Sequence, residues 1–83
     1  MTKQIVIAQR GWVFVGDVET SGEQVIISNA SCIRRWGTSK GLGELAAGGP
    51  KSATVLDAMG TVRPHALAVV ATLDCEATKW PAL

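Results

Sequence analysis

Tyrosine is absent from this 83-residue chain, and phenylalanine and histidine occur once each. The aromatics are Trp12, Phe14, Trp36 and Trp80, so any core is built mostly from Val, Ile and Ala. A chain this short buries only roughly 60–65 % of its unfolded surface, and oligomerisation is a common remedy. A homo-oligomer is therefore expected. The longest apolar run, Ala66–Ala71, is too short to span a bilayer. Met1–Gln9 shows no signal-peptide pattern, so a cytoplasmic, non-membrane protein is expected. Cys32 and Cys75 have neither CxxC spacing nor histidine neighbours, which excludes the usual zinc and redox motifs. His65 stands alone, and Asp57, Asp74 and Glu76 are too scattered to read as paired carboxylates. No catalytic residue, metal or cofactor is expected, and the chain does not read as an enzyme.

Charge is also sparse. The net value of +1 argues against bulk electrostatic binding of nucleic acid. Its distribution is uneven. Residues 29–51 carry Arg34, Arg35, Lys40 and Lys51 against Glu44, while the remainder is net acidic. Such asymmetry can mark an anion-facing surface or simply a solvated loop.

What the chain does have is short β-strand patterning throughout. Lys3–Gln9 and Trp12–Glu19 read as strands. In the second, Trp12 and Phe14 share one face and Val13 and Val15 the other, with Gly16 as a bulge or bend. Gly22 suits a tight hairpin into Gln24–Ser28, which continues, bent, to Trp36 and places Cys32, Arg34 and Trp36 on one face. Leu42, Leu45 and Ala46 follow an i, i+3, i+4 pattern, predicting one or two helical turns stopped by Gly48-Gly49-Pro50. Ala53–Leu56 is a short strand, Asp57–Gly60 a turn, and Thr61–Arg63 extended. Ala66–Leu73 has the pattern of a central strand, and Trp80 docks in the tail. The expectation is a single all-β domain over residues 1–83. It is a small SH3-like or Sm-like barrel of five to six strands with one short helix in a long loop.

The stretch from Asn29 to Pro50 holds five of the nine glycines. Gly41-x-Gly43-x-x-Ala46 matches the dinucleotide fingerprint in form, but no doubly wound sheet fits in this length and Arg63 stands where an acid belongs. Gly37-Thr-Ser-Lys-Gly41 has phosphate-loop ingredients in the wrong order for an ATPase. The chemistry that remains is an anion site. Arg34, Arg35 and Lys40 supply charge, Thr38 and Ser39 hydroxyls, Gly41 and Gly43 free backbone amides at a helix start, and Trp36 a stacking face. In the competing reading Trp36 belongs to the core or a subunit interface, and the arginines pair with Asp17, Glu19 or Glu44. Trp12 and Phe14 fit core or interface better than a base-stacking platform.

The run Ser28-Asn-Ala-x-x-Ile-Arg-x-Trp-Gly-Thr-x-x-Gly-Leu-Gly-Glu-Leu-Ala, with Gly49-Pro50, Leu56-Asp57, Gly60-Thr-Val and Lys79-Trp80, resembles a family of small uncharacterised phage and prophage proteins. The resemblance runs from Gly11 to Trp80 and brings no established chemistry with it. It implies a phage-encoded protein acting in a bacterial host. The leading expectation is a binding protein that sequesters an anionic, nucleotide-like signal to counter host defence. The alternatives are a structural or interaction module, ring-forming or inhibiting a host protein, and a Sm-like binder of single-stranded nucleic acid.

Overall fold

The computed structural model describes residues 2–80, with β1 at Thr2–Ala8, β2 at Val13–Ser21 and β3 at Gln24–Arg35. Helix α1 spans Leu42–Gly48, and β4 (Val55–Val62) and β5 (Val69–Asp74) complete the sheet. Single 3-10 turns occupy Gln9–Gly11, Ala66–Ala68 and Ala77–Lys79. The strands form one antiparallel sheet in the order β4-β3-β2-β1-β5. No pairing joins β4 to β5 among the described residues, so the sheet is open. None of the described helices is long and apolar enough to cross a membrane.

Both faces of the sheet are apolar, which is why β2 is buried from Val13 to Val18 apart from the half-buried Asp17, while Glu19–Ser21 are exposed. One face carries Ile5, Val13, Val15 and Ile33, and α1 closes over it with Leu42, Leu45 and Ala46. A seven-residue helix has little stability of its own, so this packing holds it. Trp80 seals the same side, 6 % exposed, with its indole N–H donating to the Ala46 carbonyl at 3.2 Å. The opposite face carries Val6, Phe14, Val18, Val25, Ile27 and Ala30. Residues 63–68 carry the chain from β4 to β5. They are tied by Val25 N–H to the Pro64 carbonyl at 2.9 Å and Ala66 N–H to the Glu23 carbonyl at 2.8 Å.

Four single-residue bulges set the sheet's shape. Asn29, at φ +50°, is an extra residue in β3, and its polar side chain reaches Asp17 at 3.4 Å. Without it Ala30 and Cys32 would fall on the face opposite Val25 and Ile27. Gly16 is not itself bulged but faces this bulge, where a Cβ would stand 2.6 Å from Ile27 Cγ2 and 2.8 Å from the Ser28 carbonyl. The other extra residues are Arg34 in β3, Met59 in β4 and Val70 in β5.

Several expectations change accordingly. Asp57–Gly60 is not a turn; it lies within β4, where the Met59 bulge and Gly60 at φ +73° absorb the irregularity. Ala66–Leu73 is not a central strand. Its first residues form the 3-10 turn, and β5 is an edge strand with Val70 67 % exposed. The strands number five, within the expected five to six, but the Arg34 bulge interrupts the alternation expected for Cys32, Arg34 and Trp36. The long bent β3, the helix at Leu42, the tight hairpin at Gly22 and the docking of Trp80 are as expected.

Candidate functional site

The basic, glycine-rich loop between β3 and α1 is bonded to itself and to the elements around it. Arg34 Nε donates to Asp57 Oδ2 at 2.8 Å and its second nitrogen to Oδ1 at 3.4 Å, a forked pair on the sheet surface. Both side chains are exposed, so the pair stabilises by at most about 1 kcal/mol. It nevertheless occupies the guanidinium edge that an anion would need. Ser39 Oγ donates to Glu44 Oε1 at 3.1 Å, and Thr38 Oγ1 donates to the Gly41 carbonyl at 2.9 Å. Glu44 stands in the first turn of α1 and already supplies negative charge there. Thr54 Oγ1 donates to the Trp36 carbonyl at 2.6 Å. Gly37, at φ +66°, lies so close to the Ala53–Thr54 backbone that no side chain fits.

Of the residues expected to hold an anion, Trp36 is 44 % exposed and its ring lies beside Gly41, where an added Cβ would meet it at 3.9 Å. Gly43 is exposed in the first turn of α1. Arg35 and Lys40 are exposed and form no ion pair among the described residues. Arg34 is paired with Asp57, a partner outside the set foreseen from sequence.

A cavity of about 230 Å³ lies elsewhere, on the sheet face opposite α1. Trp12, Phe14, Met59, Pro64 and Ala68 line it together with Ala8, and Gln9 supplies its polar edge. Trp12, just before β2, and Phe14, within it, are two residues apart in sequence, with ring centroids 5.8 Å apart and planes within 8°. That is a stacked pair in the favourable range. Phe14 is 5 % exposed and forms the floor, whereas Trp12 is 50 % exposed and forms a wall. Met59 reaches the cavity from the opposite edge of the sheet as the bulged residue of β4. Nothing in the local sequence marks Met59 as a wall residue; only the offset between Ala30–Gly60 and Ser31–Ala58 reveals it.

The chemistry-bearing side chains are otherwise occupied or dispersed. His65 Nδ1 accepts from the Leu67 amide at 3.0 Å, and Nε2 faces Glu23 at 3.5 Å, so the ring caps the 3-10 turn beside the cavity. Burial pushes the Cys75 thiol up to about 11, only partly offset by Lys3. Cys75 packs with the cluster under α1 and Cys32 with the cluster on the other face, so the sheet separates them. Among the described residues no three His, Cys, Asp or Glu side chains gather as a metal-holding group. No family model, curated protein or solved structure matches the chain.

Proposed function

We propose that the chain is a small binding module that holds a flat apolar group in the cavity between Trp12, Phe14 and Met59, with no bond made or broken. The single observation carrying this is the cavity itself: about 230 Å³, walled by an exposed Trp stacked on a buried Phe and by a bulged Met. The site is an open depression and not an enclosed void; its volume exceeds the roughly 150 Å³ that holds benzene, so it has room for one or two fused rings laid against its floor. The bulge supports the reading, because bulges re-aim side chains next to binding sites. The resemblance to phage proteins supports sequestration inside a bacterial host. A nucleotide-like signal would then place its base between Trp12 and Met59 and not on the Gly37–Gly43 loop. An SH3-like strand order, with the 3-10 turn between β4 and β5 and the sheet left open between those two strands, belongs to the same reading.

Titration with 2-naphthol tests this, followed by NMR of the Met59 methyl group and the Trp12 and Trp36 indole N–H groups. Saturable shifts at Met59 and Trp12, with Trp36 still, are expected. Shifts confined to Trp36 would move the site to the loop. No shift at millimolar naphthol would remove the proposal.

A second reading, self-assembly, is favoured by the two unpaired edge strands and by Leu67 and Val70, which are 82 % and 67 % exposed beside β5. Light scattering separates the two. A Leu67→Asp, Val70→Asp variant that loses mass but still shifts with naphthol makes assembly independent of binding.

A further inference from the structure

The cavity has one feature its apolar walls do not explain. Arg10 lies between Gln9 and Trp12, both of which line the cavity, and it adopts a left-handed backbone at φ +65°, ψ +23°. Gly11 follows at φ +81°, and the Ala8 amide closes the hairpin onto the Trp12 carbonyl at 2.7 Å. In the three-residue connection Gln9–Gly11 a left-handed non-glycine position is uncommon and favours Asn or Asp, because bulkier side chains clash with the backbone there. An arginine holds it at a conformational disadvantage. It is exposed and makes no ion pair among the described residues. Strained residues of this sort gather at ligand clamps. The charges nearest in sequence to the lining residues point the same way. No carboxylate lines the cavity, Arg63 immediately precedes the lining residue Pro64, and His65 and Glu23 are engaged with each other.

We infer that the cavity selects ligands that join a flat apolar body to an anionic group, and that Arg10 determines this specificity from the rim. This rests on the cavity being the binding site. The apolar body lies against Trp12 and Phe14, and the guanidinium meets the anion at the mouth, where a planar cation suits carboxylate, sulfonate or phosphate oxygens. At this position Arg10 presents a cation where Asn would present none.

The test uses a matched pair of probes, naphthalene-2-sulfonate and neutral 2-naphthol, titrated into the wild type and into Arg10→Asn and Arg10→Lys variants. The sulfonate should bind about 3- to 10-fold more tightly to the wild type, the range of an accessible charge-assisted contact. In Arg10→Asn the sulfonate-to-naphthol ratio should fall to near one, and in Arg10→Lys most of the preference should return. The Asn variant should also melt higher, by about 2–4 °C, because it suits the left-handed position. Equal affinities in the wild type would overturn the inference while leaving the cavity as a site. A preference that survives in Arg10→Asn would overturn the role of Arg10, and an Asn variant that melts lower would remove the argument from strain. Binding of neither probe would overturn both the inference and the cavity reading.

Discussion

Ala46 and Trp80, 34 residues apart in sequence, are joined by an indole N–H to carbonyl hydrogen bond of 3.2 Å. The same carbonyl also accepts from the Glu76 amide at 3.0 Å. The last turn of α1 and the tail therefore fasten each other over the Ile5–Val15 face. Replacing Trp80 by Phe keeps most of the apolar contact and loses the hydrogen bond, which should destabilise by about 1 kcal/mol. Replacing it by Ala leaves a void and should destabilise by about 3–5 kcal/mol. Urea denaturation of the two variants checks the difference, with α1 expected to lose amide protection first in Trp80→Ala.

Trp12 should show the opposite balance. Because its ring is 50 % exposed, Trp12→Ala should lower stability by only about 1–2 kcal/mol while abolishing the naphthol shift at the Met59 methyl. A variant that is much less stable but still binds would make Trp12 a core residue and not a cavity wall.

Gly16 and Asn29 form a matched pair of tests. A methyl group at Gly16 would collide with Ile27 and the Ser28 carbonyl, so Gly16→Ala should destabilise by about 1–3 kcal/mol, although Ala is an ordinary strand residue. Asn29→Gly relieves a left-handed backbone and should leave stability within about 1 kcal/mol of the wild type. Thermal melts of both variants would show whether the bulge or the side chain is what the site requires.

The Cys75 thiol gives a pH dependence with a definite sign. Its ionisation is pushed up from 9.0 to about 11, first by burial. The folded chain thus holds this proton more tightly than the unfolded chain does. The stabilisation is complete below about pH 9 and is lost as pH rises towards 11. Cys75→Ala should flatten the stability profile across that window. At about pH 8 iodoacetamide should modify Cys75 more slowly than a free thiol, because little thiolate is present.

The parts of the fold that could be read from sequence were those where side-chain period and burial agree. Val13–Val15 and Trp12–Phe14 alternate because both faces of β2 are covered, and Leu42, Leu45 and Ala46 repeat as a helix because one face of α1 is buried. The failures sit at a bulge and at a 3-10 turn. A bulge adds one residue without changing composition, so Asp57–Gly60 looks like a turn, and the apolar 3-10 turn Ala66–Ala68 makes Ala66–Leu73 look like one continuous strand. The candidate site was harder to read for the same reason. Trp12 and Phe14 were visible as a pair, but their partners Met59, Pro64 and Ala68 reach them only through the long-range pairing of β4 and the crossover. The basic loop stood out by charge, yet charge along the chain does not reveal that Asp57, 23 residues away, occupies Arg34.

Met59 has a further consequence that lies in the sheet's tolerance for change. As the extra residue between Ala58 and Gly60, it is the one position in that part of β4 with no partner across the ladder. Substituting it, or deleting it, leaves Ala58 opposite Ser31 and Gly60 opposite Ala30, so no core residue is turned to the wrong face. One wall of the cavity can therefore be redrawn, or removed, while the scaffold stays in register.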